Sequence, residues 1–220
     1  FHLMYNTRPG LLIGFHGCDK SRQQELLLNS SAMPISEKPF DWLGHGMYFW
    51  ENNAERALEW ANVKQAKGSI EEAAIIGAVI DLGYCCDLLD AAFIKMVAVY
   101  YELMKLELKK LDKDLPINRD LKTDVYGDKL LRDLDCATLE FMHKQIRTQY
   151  NRDITEKQHS SYKIFDSVRG VFPEGGPAYS GSGFWAKSHI QICIRNANCI
   201  KGFFQKREEL DFILHETNRK

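Results

Sequence analysis

Asp41-Trp-Leu-Gly-His-Gly-Met-Tyr-Phe-Trp50, continued by Glu51-Asn-Asn-Ala-Glu-Arg-Ala-Leu-Glu-Trp-Ala61, is the stretch around which the chain is organised. It reads as a glycine-hinged loop, a short aromatic strand and a helix. Gly44 and Gly46 bracket one residue, so the backbone there can adopt positive φ or admit a close neighbour. Tyr48, Phe49 and Trp50 suit a strand whose side chains alternate between faces. Asn53 is placed as an N-cap, and Ala54, Ala57, Leu58 and Ala61 then fall on one helical stripe. Small residues on that stripe let the helix lie close against a neighbour. Taken alone, this is equally a β-loop-α corner whose aromatics are core.

Upstream, Leu11-Leu-Ile-Gly-Phe-His-Gly17 reads as an apolar strand ending in His16-Gly17, entered through turn chemistry at Arg8-Pro9-Gly10. Ser21 and Gln24 have capping-box spacing, and Leu26, Leu27 and Leu28 supply the buried side of a short helix. Ser30 to Pro39 is a loop long enough to pass over a site. Downstream, Ala73 to Ile80 is a continuous β-prone run, read as a central strand. Phe93, Met96, Val97, Tyr100, Met104, Leu108 and Leu111 recur at helical spacing, in a helix that starts near Asp87 to Asp90. A second amphipathic helix is expected from about Asp128 to Tyr150, with Leu130, Leu134, Ala137 and Phe141 on its stripe. The span from about 90 to 160 is therefore a helical insertion between β elements, within a single domain covering 1–220.

The run Arg169 to Gly183 is dense in glycine and proline and must be a long loop, a common home for function. Phe184-Trp185 is expected to anchor its end. Ser188 to Arg195 alternates as a half-buried strand does, with His189, Gln191, Cys193 and Arg195 on one side. Cys199 to Phe204 is a further strand. The fold class is α+β.

The balance of 29 basic and 30 acidic residues gives a net charge of −1, so no global field draws nucleic acid or anionic membrane. No apolar run approaches the roughly 20 residues needed to span a bilayer, and the N-terminus lacks the charged-then-apolar order of a signal peptide. The six cysteines lack any CxxC pair, which points to reduced thiols in a cytoplasmic protein and to no metal site. Cys18, two residues from His16, has no third group in view that would orient a base, so it is a poor nucleophile candidate.

Three fragments line up in order: strand-His16-Gly17, then Gly46-Met-Tyr48-Phe-Trp with its Ala-rich helix, then Ser188-His-Ile-Gln191-Ile-Cys-Ile on a late strand. Together they resemble the diphtheria-toxin-like ADP-ribosyltransferases, the group that includes the poly(ADP-ribose) polymerases. That group carries a His on an early strand, a Tyr on a short later strand and a Glu on a late strand. The resemblance covers roughly residues 11–85 and 165–205. It implies a split β-sheet core with NAD+ as substrate and no metal. His16 would hydrogen-bond the adenosine ribose, Gly17 would offer its backbone to the nicotinamide amide, Tyr48 would stack on the nicotinamide ring, and Gly46 would line the same site. The third position departs from the pattern, because Gln191 stands where the family has Glu. Glutamine can hydrogen-bond a ribose hydroxyl but supplies neither negative charge nor a base. Polymer elongation is therefore not expected, and the implied activity is mono-ADP-ribosylation of a macromolecular acceptor, a protein side chain or a nucleic acid. The loop before the last strand corresponds to an acceptor-recognition loop, with Glu174, Tyr179 and Ser182 as its candidates. Transferases of this fold also serve as bacterial toxins and antiviral phage-defence effectors, which brings in an antitoxin or regulatory partner. Two alternatives accompany this reading: an inactive module that binds NAD+ or ADP-ribose, and an interaction domain working through the helical insertion. A groove built from Lys187, Arg195 and Arg169 would favour nucleic acid.

Overall fold

The computed structural model describes residues 10–29, 33–122 and 124–207. The Arg8-Pro9 turn and the start of the proline loop at Ser30 lie outside them. The described chain is α+β. Strand β1 is Leu12–Asp19, helix α1 Lys20–Leu28, β2 Met47–Glu51, α2 Ala54–Ala66, β3 Ala73–Ile80 and β4 Cys85–Asp87. Helix α3 is Ala91–Lys110, β5 Asn118–Arg119, β6 Leu131–Arg132, α4 Asp133–Lys157, β7 Ser167–Phe172, β8 His189–Ile194 and β9 Ile200–Phe204. Seven strands form one mixed sheet in the order β4-β7-β8-β2-β1-β3-β9, and β5 with β6 makes a separate two-stranded ribbon inside the helical insertion. Among the described strands, only β4 and β7 pair in parallel. No described helix is long and apolar enough to cross a membrane.

The sheet is narrowest between β1 and β2. These strands pair only at Gly14–Glu51 and Phe15–Trp50, whereas β1 pairs with β3 along its whole length, from Leu12–Ile80 to Asp19–Ala73. One face of the sheet packs Met47, Phe49, Ile76, Ala78, Ile80, Ile192 and Ile194 against Leu26 of α1. The other face has two coverings. Helix α2 lies over β1 and β3 through Ala57, beside Phe15 and Trp50. Helices α3 and α4 cover β7 and β8, with Phe93, Leu139, Met142 and Ile146 against Val168 and Cys193.

Local sequence explains most boundaries. Asn53 caps α2, its side chain accepting from Arg56 N at 3.0 Å. Asp90 caps α3 in the same way, through Ala92 N. For α1 the expected Ser21 box gives way to Asp19, whose carboxylate accepts from Ser21 N and also from Glu71 N and Glu72 N. A charged acceptor at the strand end holds two segments at once, which the shorter Ser hydroxyl cannot. The stripe expected on α4 is displaced: the buried set is Cys136, Thr138, Leu139, Met142, His143, Ile146 and Asp153. The helix packs against α3 and the sheet together, so its buried band includes a thiol and an imidazole that an apolar count passes over.

Candidate functional site

The seam between β1 and β2 brings His16 to the backbone of Tyr48, while Gln191 stands one strand further on, in β8. By strand alternation the His16 side chain shares the Phe49 face, and those of Tyr48 and Gln191 the opposite one. Asn52 N donates to Ile13 O across the seam at 2.8 Å. By strand alternation the N–H and C=O of Gly17 point the same way as those of Ile13, toward β2, but beyond the last paired residue of that strand. Here His16 Nδ1 donates to Tyr48 O at 2.8 Å, bridging the gap with a side chain. That bond fixes the tautomer and leaves Nε2 as the ring's acceptor. Burial is the main force lowering the His16 pKa to about 4, and nearby Lys64 and Arg22 add to it, so the ring is neutral near pH 7. Gly17 is a packing requirement as well. A Cβ there would drive into the carbonyl oxygen of Ala57, because α2 crosses β1 backbone to backbone.

Tyr48 turns its ring toward the α3–α4 side, opposite Cys193 of β8. Its hydroxyl donates to Gly44 O at 2.8 Å and accepts from Leu43 N at 2.9 Å. Tyr48 therefore ties down the glycine hinge, where Gly44 has φ +80°. Burial keeps its phenol well above the ordinary tyrosine pKa, so it stays protonated. The hinge is also held from α4: Glu140 accepts from His45 N at 2.8 Å and pairs with Arg195, whose Nη1 donates to His45 O at 2.8 Å. Burial favours the protonated Glu140, but the Arg195 hydrogen bonds and charge outweigh it and lower its pKa. Gly46 exchanges both backbone bonds with Ser36, at 2.8 and 3.0 Å, and backs onto Cys193 and Ile194. Its backbone groups are thus engaged within the protein.

Gln191 pairs with Trp50 of β2 on one side and Gly170 of β7 on the other. Its Oε1 accepts from Trp42 Nε1 at 2.6 Å. Indole only donates, so the amide orientation is set and Nε2 is left as a donor. Trp42 lies over Gly170, where a Cβ would meet its ring. Gln191 is the diagonal neighbour of Tyr48 across the β2–β8 ladder, roughly 7–8 Å away by ladder geometry. His189, two residues earlier, is buried and stacks on Phe172 at 5.6 Å. It donates from Nδ1 to Lys187 O, and its Nε2 is buried without a partner, as is Trp50 Nε1. Burial lowers its pKa to about 4, with Arg56 and Arg132 adding to the effect.

The loop between β7 and β8 is tethered at its base. Glu174 pairs with Arg56 of α2 at 2.8 Å, and Gly175 N donates to Asp128 Oδ2 at 2.8 Å. The tip is a small turn in which Ser182 Oγ accepts from Phe184 N and donates to Phe184 O. Of the three acceptor candidates, Tyr179 is the one whose side chain projects, 64% exposed. Phe184, expected as an anchor, is 73% exposed, because the turn it closes is held by Ser182 and by backbone bonds rather than by burial. The proposed basic groove does not assemble. Arg169 is buried between Glu51 and Asp87, and Arg195 is held by Glu140. Cys18 is core, its thiol pushed up to about 11 mainly by burial. Among the described residues, no three His, Cys, Asp or Glu side chains cluster to hold a metal ion.

Sequence reasoning missed Trp42, Arg56, Arg132 and Glu140. Arg132 sits 3.9 Å over the Phe172 ring and 5.2 Å over that of Trp42, closing the aromatic group around Gln191 from the insertion side. No local signal marks these residues, since their partners are far away in sequence.

The chain is similar to an uncharacterized protein of Methanocaldococcus jannaschii, with 25% identity over 206 residues, 85% of this chain and 83% of that protein. No family model and no solved structure matches it.

Proposed function

We propose that the protein is an NAD+-dependent mono-ADP-ribosyltransferase with a diphtheria-toxin-like split-sheet core. One observation carries the reading. His16, Tyr48 and Gln191 stand on adjacent strands β1, β2 and β8, at a seam where β1 and β2 part after two residue pairs. In this reading, the parted strands receive the dinucleotide. Gly17 offers N–H and C=O to the nicotinamide amide, and His16 Nε2 accepts from a ribose hydroxyl. The Tyr48 ring stacks on nicotinamide, an interaction of about 0.5–1.5 kcal/mol beyond burial. Gln191 Nε2 donates to a ribose oxygen. Nicotinamide leaves neutral, so breaking its bond to the ribose needs little acid help. The positive charge that develops on the sugar is met by no carboxylate at position 191, which predicts slow turnover. With no base at that position, the acceptor must supply its own nucleophile, as a carboxylate or a ring nitrogen does.

The test uses NAD+ labelled in its adenylate half, with cell protein and nucleic acid offered separately. Label should pass to one macromolecule class, and His16→Ala and Tyr48→Ala should abolish the transfer. NAD+ binding without nicotinamide release would leave a non-catalytic binding module. Absence of NAD+ binding would reject the reading.

A second reading, an interaction domain, is favoured by α3. Ile94, Val99, Leu103 and Leu106 are each about half exposed or more on its outer side. Deleting the insertion would not test it, because Phe93, Leu139 and Met142 belong to the core over β7 and β8. Leu103→Glu with Leu106→Glu would, by abolishing partner binding at unchanged melting temperature.

A further inference from the structure

Helix α4 and the residue after β8 border an open cleft of about 220 Å³, lined by Lys144, Arg147, Thr148, Asn151 and the Glu140–Arg195 pair. Along α4, Asp153 accepts from Lys157 at 3.1 Å and from Gln149 at 3.0 Å, whereas the Arg152 and Glu156 side chains have no hydrogen bond or ion pair among the described residues. Lys144 and Arg147 border the cleft. Among the described residues, neither has a hydrogen bond or an ion pair. The carboxylate at helical spacing from Lys144 is Glu140, and it is already spent on Arg195 and His45 N. Two cations one turn apart repel one another, while Arg195, just past β8, reaches the cleft already paired with Glu140. Buried His143 lines the same cleft, and the one carboxylate there, Glu140, offsets Arg195 alone, so the charges of Lys144 and Arg147 stay unmatched.

The donor set is specific in its chemistry. A lysine supplies a point charge and an arginine a planar fork, while Thr148 adds a hydroxyl and Asn151 an amide N–H. Such groups match the several oxygens of a tetrahedral anion. We propose that this cleft is a binding site for a phosphate group, either free or as part of a nucleic-acid backbone. The site lies behind the Gly44 hinge, and Arg195 joins it to that hinge through His45 O. The inference does not depend on NAD+ chemistry, so a failure of nicotinamide release leaves it standing.

The experiment measures binding of radiolabelled inorganic phosphate and of a fluorescent single-stranded oligothymidylate to the wild-type chain and to Lys144→Gln/Arg147→Gln. Both side chains are exposed, so the double variant should keep the wild-type melting temperature. Wild type should bind at least one probe, and the double variant should bind it at least tenfold more weakly. Oligonucleotide affinity that rises with length, and whose log-log salt slope falls by roughly 1.4 in the variant (about 0.7 for each of two lost contacts), assigns the site to a nucleic-acid backbone. Phosphate binding with no gain from length assigns it to the free ion or a small ester. Binding of neither probe, or equal binding by the double variant, would overturn the proposal.

Discussion

Trp42 donates its indole N–H to Gln191 at 2.6 Å, joining residues 149 positions apart. The bond fixes the orientation of the Gln191 amide and leaves its Nε2 as the remaining donor. It also means that position 191 already has a positively polarised donor waiting for an oxygen. A carboxylate placed there would find that donor in position.

Gln191→Glu is therefore expected to raise, not lower, nicotinamide release. The carboxylate would accept from Trp42, hold its orientation and place negative charge near the developing ribose cation. Removing a single preorganised electrostatic contact costs enzymes about 10²–10³ in rate, so a gain of at least tenfold is the expectation here. Steady-state nicotinamide release is the measurement, and an unchanged or lower rate would remove Gln191 from the proposed chemistry.

Gly17→Ala should be costly although it adds a single methyl. The new Cβ meets the Ala57 carbonyl, part of the α2 backbone, which cannot rotate away. Overpacking of this kind costs about 1–3 kcal/mol. Urea unfolding should show that loss, with NAD+ affinity reduced alongside. A variant as stable as wild type would mean α2 can move off β1.

The fold was legible wherever one local pattern decided it. Alternation and β-prone runs located β1, β3 and β8, and the Asn53 cap with its alanine stripe located α2. Small residues there read correctly as close packing, which the contact of Gly17 with Ala57 bears out. What the sequence hid depends on distance along the chain. Arg169 looks like any loop cation until Glu51 and Asp87 are seen around it. Phe184 looks like an anchor until Ser182 is seen closing the turn without it. Glu140 in a charged helix resembles a solvated face until Arg195 and His45 come to it from other elements.

Stability should fall as the pH is lowered through the histidine range. His16 and His189 are held near pKa 4 and His143 near 3, each chiefly by burial, against an ordinary value of 6.5. A depressed histidine pKa means the unfolded chain binds more protons, so stability rises with pH. The contribution is complete above about pH 6.5 and is lost progressively toward pH 4. Equilibrium unfolding between pH 7 and 4.5 should reveal proton uptake on unfolding approaching three. His189→Phe should reduce that uptake by about one. A stability flat across this range would show that these rings are not held neutral.

Arg169 supplies the sharpest structural prediction. Its guanidinium forks onto Glu51 at 2.5 and 2.8 Å and reaches Asp87 at 3.1 Å, joining β2, β7 and β4. The residue is 8% exposed, so the charges around it are poorly hydrated. Arg169→Met would leave two carboxylates facing each other without their shared cation. Removing one partner from a buried ion pair costs about 3–5 kcal/mol, because the remaining charge is uncompensated. Adding Glu51→Gln and Asp87→Asn should recover much of that loss, since neutral groups of the same shape no longer repel. A triple variant no more stable than Arg169→Met would show that packing of the guanidinium, rather than its charge, holds these three strands in register.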